Sequence, residues 1–164
     1  MNFTVSGARS LSAEKDFATL KESKLVADVY KLITLDDSMV RFTVIFNKPV
    51  VYEAKEYQDP AQLVVILKED KGALLHQTVY SVRTASYPRG ASIGMLEEQL
   101  MGVEGIRVLK DDNGTFLIEV GYFTTELEAQ TRFEELSRIY GKNLQLRIEK
   151  RNLNDIPEKI NNNQ

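Results

Sequence analysis

Two stretches of the chain share one strand pattern and decide its fold. The first is Tyr80-Ser81-Val82-Arg83-Thr84-Ala85-Ser86-Tyr87, and the second is Phe116-Leu117-Ile118-Glu119-Val120-Gly121-Tyr122-Phe123. Each begins and ends on an aromatic residue, and each is followed by a segment of helical periodicity and then by another apolar strand. The region from Val79 to Glu149 is therefore predicted to run β-α-β-β-α-β with an internal duplication.

The helix and turn signals in this region are local. Thr125 and Glu128 have capping-box spacing, and Gly141 stands where a left-handed residue favours a helix end. A second helix is predicted over residues 92–101. Asn113-Gly114 predicts a hairpin before the second repeat, and a closing strand is predicted over residues 144–148.

The first half of the chain is predicted to be mainly β. After a short strand at residues 3–5 and a short helix at residues 12–21 capped by Ser12, a period of two predicts antiparallel strands near residues 26–32 and 40–46. The apolar run at residues 63–67 predicts a buried strand.

These patterns divide the chain into a β-rich domain at residues 1–70, a linker at 71–78, a second domain at 79–151 and a frayed tail at 152–164. The linker carries Leu74 and Leu75, where a free tether would carry glycine, serine or proline. A domain of about 70 residues is marginal alone, so the two halves are expected to pack against each other.

Composition excludes several functions. The 164 residues are 43% hydrophobic and 27% charged, which is typical of a globular protein, and the net charge of −3 gives no general attraction to nucleic acid. Cysteine is absent and His76 is the only histidine, so thiolate chemistry, histidine zinc sites and serine-histidine triads lack material. We expect no enzyme activity, no cofactor and no metal site.

The acidic pairs Asp36-Asp37 and Asp111-Asp112 both lie at predicted turns without EF-hand spacing, which favours turn chemistry over Ca²⁺ binding. No apolar run approaches the roughly 20 residues that span a bilayer. The start, Met1-Asn2-Phe3-Thr4, does not have the profile of a secretion signal. Either the protein is cytosolic, or this is a mature fragment with an added methionine.

Alternation along the strands assigns one set of side chains of the second domain to the core beneath the helices: Tyr80, Val82, Phe116, Ile118, Val120, Leu144, Leu146 and Ile148. The opposite set is expected on an open sheet face: Ser81, Arg83, Arg107, Leu109, Thr115, Leu117, Glu119, Gln145 and Arg147, with Ser86 at a strand end. Such a face either binds a ligand or is simply solvated. RNA recognition would need aromatic residues there, and Tyr80 and Phe116 face the core instead.

The second domain resembles a SPOR domain, the sporulation-related repeat that binds peptidoglycan in bacterial envelopes. Residues 80–87 match the family's Y-x-V-Q-x-G-S-F, and Val120-Gly121-Tyr122-Phe123 with Glu128-Ala129 matches V-G-P-F followed by E-A. Arg83 replaces the usual glutamine and Ala85 the usual glycine. The resemblance covers residues 79–149 and implies a ferredoxin-like (RNP-like) α+β fold that binds glycan strands.

The first domain resembles the AMIN domain, a small β-sandwich of envelope amidases and secretins associated with wall or septal localisation. Its carrying residues are the strand at 40–46, Asn47-Lys48-Pro49-Val50-Val51-Tyr52 and the stretch at 59–67, with Gln62 in place of the usual arginine.

These resemblances together imply a non-catalytic module of the periplasmic or extracytoplasmic bacterial envelope that localises a larger protein to the wall. The glycan-binding residues they imply on the open face are Ser81, Arg83, Ser86, Thr115, Leu117, Glu119, Gln145 and Arg147. The alternative is a structural subunit of an envelope assembly that uses these folds for protein contacts or self-assembly; a wall hydrolase is the weakest alternative. Neither nucleic acid nor a membrane span is expected.

Overall fold

A computed structural model describes residues 1–73 and 77–161. The linker residues Leu74, Leu75 and His76 lie outside the described residues, as do residues 162–164. The described chain is a mixed α+β protein whose strands form three antiparallel sheets. The expected α+β class is therefore confirmed.

The first half contains a three-stranded sheet in the order β1-β3-β2. Its strands are β1 (Asn2–Ser6), β2 (Val26–Leu32) and β3 (Met39–Phe46). The predicted alternating strands are thus present and antiparallel. The predicted short helix is a 3-10 turn (Ser12–Asp16) followed by α1 (Phe17–Lys21). Ser12 does not cap it, because Ser12 is itself the first residue of the 3-10 turn and Leu11 occupies the cap position.

The strands β4 (Val50–Gln58) and β5 (Ala61–Glu69) form a separate two-stranded hairpin. The prediction that residues 63–67 are a buried strand is right about the strand and wrong about its burial, since Leu63 is 59% exposed and Val64 is 38% exposed. Burial of such a run requires a second layer, and within the described residues these strands pair only with each other.

The second half contains the elements in the predicted β-α-β-β-α-β order. They are β6 (Thr78–Arg83), α2 (Ala91–Gln99), β7 (Arg107–Lys110), β8 (Phe116–Phe123), α3 (Glu126–Tyr140) and β9 (Arg147–Asn152). The strand order is β7-β8-β6-β9, and each neighbouring pair is antiparallel. The two repeat strands, β6 and β8, are therefore adjacent at the centre of the sheet.

Local signals fix most of the element ends. The Thr125–Glu128 capping box is confirmed at the start of α3, and Gly114 and Gly141 take the positive φ angles that their turns require. The last strand is shifted from its predicted place. Residues Gly141–Leu144 form a 3-10 helix and Gln145 adopts a left-handed conformation, so β9 begins only at Arg147.

The main core lies between the helices and one face of this sheet. All the side chains predicted for that core are found in it, either buried or packed against it. Leu32 of β2 joins the same core, and Tyr30 meets Phe116 edge-to-face at 5.5 Å between ring centroids. Arg41 also pairs with Glu97 at 2.6 Å. The two halves are thus in contact, while the exact domain boundaries stay predictions.

The end of the chain differs from the frayed tail that the sequence predicts. The C-terminal segment, residues 153–161, is hydrogen-bonded to the second sheet. The Leu153 amide donates to the Gln77 carbonyl at 2.8 Å, and the Asp112 amide donates to the Pro157 carbonyl at 3.0 Å. The Ser86 amide donates to the Ile160 carbonyl at 2.8 Å. The segment therefore runs across the sheet face opposite the helices.

Candidate functional site

The face predicted to be open is closed. Arg83, Leu117 and Glu119 are fully buried, Ser81 is 1% exposed and Ser86 is 6% exposed. The expectation of an open face is wrong for these residues. The remaining predicted residues are only partly buried: Thr115, Gln145 and Arg147. The eight predicted side chains therefore do not form one accessible surface.

The C-terminal segment closes the face through Ser86 and Glu149. The Ile160 amide donates to Ser86 Oγ at 3.1 Å, and the Glu158 amide donates to Glu149 Oε1 at 2.8 Å. A polymer could reach the side chains beneath only if this segment were displaced. Sequence reasoning missed this cover because no periodicity marks residues 153–161.

Arg83 is the most extensively bonded side chain of the closed face. Its Nη1 donates to Glu149 Oε2 at 2.9 Å and to the Glu158 carbonyl at 2.7 Å. Its Nη2 donates to Ser86 Oγ at 3.0 Å, and its Nε donates to the Thr84 carbonyl at 3.0 Å. Because a guanidinium has five donors and no acceptor, this set occupies most of its hydrogen-bonding capacity. Arg83 therefore has little left to offer a ligand.

Glu119 is the centre of a second buried network. Its Oε1 accepts hydrogen bonds from Arg107, one of them from Nε at 2.8 Å. Its Oε2 accepts from Ser81 Oγ and from Arg151 Nη2, both at 2.7 Å. A carboxylate removed from water is tolerated when it is paired and its lone pairs are filled, and both conditions hold here.

These networks give a structural reason for the arginine that departs from the SPOR pattern. Glutamine at this position could not neutralise Glu149, whereas Arg83 does so directly. The sequence carries a signal that could have predicted the burial of this face. Arg83 and Glu119 are direct cross-strand neighbours, as are Arg107 and Glu119, and a polar face built from opposite charges in register can be desolvated.

Thr115 belongs to the turn between β7 and β8. Its amide donates to Asp111 Oδ1 at 2.8 Å and its hydroxyl contacts Asp111 Oδ2. Burial alone would raise the pKa of Asp111, but hydrogen bonds from Thr115, Ser86 and the Asn113 amide outweigh it and lower that pKa. Asp111 and Thr115 therefore stabilise the turn, in keeping with the turn chemistry expected for Asp111-Asp112.

Gln145 and Arg147 border an open cleft of about 500 Å³ at the end of α3. Phe133, Ser137 and Lys142 also line it, and Gln145 Oε1 is buried with no hydrogen-bond partner among the described residues. Within residues 1–73 and 77–161, Arg147 donates only to the neighbouring Leu146 carbonyl, at 3.3 Å. Of the predicted residues, these two keep the most hydrogen-bonding capacity for a ligand.

A second cleft, of about 520 Å³, lies between β2, β7 and the C-terminal segment. Asp28 on its wall contacts Lys110 and Lys21 at 2.6 Å each. Burial would raise the pKa of Asp28, but the two lysines lower it below its ordinary value. Burial raises the pKa of Tyr30 beside it to about 12. The positive and negative side chains that line this cleft are nearly equal in number, so its net charge is close to zero.

The largest exposed apolar side chains of the first half lie on the β4–β5 hairpin. Residues directly paired across an antiparallel sheet share a face. One face of the hairpin carries Tyr52 beside Leu67 and Ala54 beside Val65, and Leu63 extends it. Tyr52 is 67% exposed. The six apolar side chains of this face, here called the apolar face, are Val50, Tyr52, Ala54, Leu63, Val65 and Leu67; Tyr52, Ala54 and Leu63 are exposed and the other three are half-buried. Glu56, Gln58 and Glu69 lie on the same side of the hairpin.

In the part of the chain that the structure describes, no group of three or more histidine, cysteine, aspartate or glutamate side chains could hold a metal ion. No helix there is long and apolar enough to cross a membrane. Comparisons with protein-family models, with curated proteins and with solved structures found no match to this chain.

Proposed function

We propose that the chain is a non-catalytic structural module of a bacterial cell-envelope assembly, and that it binds other protein chains through the β4–β5 hairpin. The envelope setting rests on the residues shared with the SPOR pattern, at positions 80–87, 120–123 and 128–129, and with the AMIN pattern, at positions 40–52 and 59–67. The strand order β7-β8-β6-β9 supports a ferredoxin-like fold for the second half.

One observation carries the proposal: the hairpin exposes large apolar side chains to solvent, among them Tyr52 and Leu63. A two-stranded hairpin is marginally stable by itself, and contiguous exposed apolar surface is typical of interaction sites. Nearly every residue of β4 is exposed, including Tyr52 and Tyr57. A protein partner that covers this face would bury aromatic and aliphatic side chains, which contribute most to binding energy at interfaces.

Burial of the predicted glycan-contacting strand argues against adhesion to the wall through that strand. Arg83 and Glu119 are bonded within the protein, and Ser86 is bonded to the C-terminal segment. Sugar hydroxyls would have to replace these charge-assisted hydrogen bonds, which are stronger than neutral ones.

Co-sedimentation with purified sacculi tests the proposal. Intact peptidoglycan is compared with material whose stem peptides have been removed, and light scattering after size exclusion gives the mass of the free protein. The proposal predicts no retention on either material, whether the free protein is a monomer or a larger assembly. A monomer that pellets with sacculi would contradict it.

The second candidate is glycan binding, and the cleft beside Gln145 and Arg147 favours it. Phe133 lines the cleft with an aromatic side chain, while the side-chain NH₂ of Gln145 and the guanidinium of Arg147 offer donors. If this candidate is correct, the wild-type protein pellets with sacculi and Arg147→Ala weakens the retention. Lys150→Ala is the matched control, since Lys150 is an exposed β9 cation outside the cleft.

A further inference from the structure

We propose that the partner of the hairpin is a second copy of this chain, and that β5 pairs antiparallel with β5 of that copy about a two-fold axis at Val65. The inference rests on the proposed function, which makes the hairpin an interaction surface. It names the occupant of that surface and the strand that binds it.

The free edge of β5 is the first observation. Among the described residues, β5 is paired only with β4, so its outer edge presents backbone amides and carbonyls to solvent. Its centre, residues 63–67, is Leu-Val-Val-Ile-Leu without charge or proline. Edge strands that avoid pairing carry charged residues or proline. An apolar edge without them can pair with another strand.

The self-complementary register of β5 is the second observation, and it selects a copy of the same chain. Antiparallel pairing centred on Val65 places Leu63 opposite Leu67 and Val64 opposite Ile66. The ends place Gln62 opposite Lys68 and Ala61 opposite Glu69, so no like charges meet. A contact in which the same strand serves both partners closes as a dimer.

The product of this pairing is a wider sheet. Joining two β5 edges makes a four-stranded sheet in which the faces carrying Tyr52, Val65 and Leu67 become continuous. Three or more strands with an apolar face are needed for independent stability, and two strands of one hairpin do not reach that number. Dimerisation thus supplies the missing strands.

The other edge, β4, is less suited to this pairing. Its centre carries Glu53, Lys55 and Glu56, and Lys55 is already paired with Glu53 of the same strand at 3.2 Å. Charged residues on an edge strand oppose pairing. Self-pairing about Ala54 would also place Tyr52 opposite Glu56. The asymmetry between the edges makes the proposal specific to β5.

Single cysteines test the axis, because the native chain contains none. A residue on the two-fold axis faces its own copy, with Cα atoms about 4.5–5.5 Å apart in an antiparallel pair. This separation lies within the range that a disulfide spans. Under mild oxidation, Val65→Cys is expected to become a covalent dimer on non-reducing gels and by intact mass.

Ala54→Cys is the matched control. Ala54 is the direct partner of Val65 within the hairpin, so it shares the same face but lies on the other edge. It is expected to form no covalent dimer under the same oxidation. Sedimentation velocity of the wild-type chain over a concentration series is the second measurement, and a reversible dimer is expected.

The proposal is overturned if wild type stays monomeric at all concentrations, if Ala54→Cys cross-links in place of Val65→Cys, or if both cross-link at equal rates. Failure here leaves the proposed function standing with a different protein as partner, provided that sacculi do not retain the chain. Retention on sacculi would contradict the proposed function whatever the cross-linking result.

Discussion

The sheet face opposite the helices and the β4–β5 hairpin invert the usual relation between composition and exposure. The first carries Arg83, Glu119 and Glu149 and is buried, whereas the second carries Tyr52 and Leu63 and is exposed. Opposite charges placed in register neutralise one another and can be covered by the chain's own C-terminal segment. The exposed apolar side chains of the hairpin find no such cover among the described residues. The comparison teaches that burial depends on whether a surface finds its complement within the same chain.

The largest expected effect is at Arg83. Removing one partner of a buried ion pair leaves the other uncompensated, which costs about 3–5 kcal/mol. We expect Arg83→Ala to lower the free energy of unfolding, measured in urea, by that amount. Arg147→Ala, directly across the strands in β9, is the control and should have little effect because its charge is only half-buried.

A double variant shows whether the loss comes from the stranded carboxylate. Arg83→Met combined with Glu149→Leu replaces the pair by apolar side chains and should recover part of the stability that Arg83→Met loses. An Arg83→Ala protein as stable as wild type, with weakened retention on sacculi, would instead support a binding role.

Truncation after Asn152, which removes the C-terminal segment together with residues 162–164, should have the next largest effect. Truncation deletes the Glu158 carbonyl that accepts from Arg83 and the Ile160 amide that donates to Ser86. A hydrogen bond to a charged group contributes about 1.5–3 kcal/mol, and water can replace the partners that truncation removes, so we expect a net loss of about 2 kcal/mol in chemical unfolding. Lys159→Ala, an exposed side chain of the same segment, is the matched control.

Truncation also tests the original open-face prediction. If the closed face has a latent glycan site, the truncated chain should be retained on sacculi while the full chain is not. If sacculi retain neither the truncated chain nor the full chain, Ser81, Arg83 and Glu119 serve the fold alone.

Lowering the pH is expected to have a smaller effect on stability, through Asp28 at the contact between the halves. The folded-state pKa of Asp28 is lowered, so Asp28 contributes stability above its unfolded pKa of about 3.9 and loses it as the pH falls through the folded value. Asp28→Asn should cost about 1 kcal/mol at pH 7. The difference between variant and wild type should shrink below about pH 4. Thermal unfolding at several pH values measures it, and a difference independent of pH would contradict the assignment.

The smallest effect on stability is expected in the hairpin. Leu63 is exposed, so Leu63→Lys should change the free energy of unfolding by no more than about 0.5 kcal/mol while abolishing assembly. Glu56→Lys places the same residue directly opposite, on β4, and should leave assembly intact. Light scattering and urea unfolding of both variants separate the two effects. A large loss of stability in Leu63→Lys would show that the hairpin packs within the monomer.

Local signals predicted much of the fold. The capping box of Thr125, the turn at Gly114 and the strand alternation around Val82 and Ile118 each depend on residues close in sequence, and the structure contains all of them. The start of β9 was missed because a left-handed Gln145 interrupts the apolar pattern, and no propensity of glutamine indicates that conformation.

The candidate site was less predictable, because its state depends on distant parts of the chain. The sequence assigned Ser81, Arg83 and Glu119 to the correct sheet face but gave no sign of its cover. The covering contact joins Ile160 to Ser86 across most of the second half, through backbone groups that every residue type except proline carries. The exposure of β5 was missed because an apolar run predicts burial but does not indicate which part of the protein would cover it.

Amide hydrogen exchange on the full chain tests the central claim most directly. A face closed by the C-terminal segment requires slow exchange at the amides of Ser86, Glu158 and Ile160, which donate to Ile160, Glu149 and Ser86 respectively. The account predicts protection there comparable to β6. Fast exchange throughout residues 153–161, alongside a protected β6, would mean that the face is open and would contradict it.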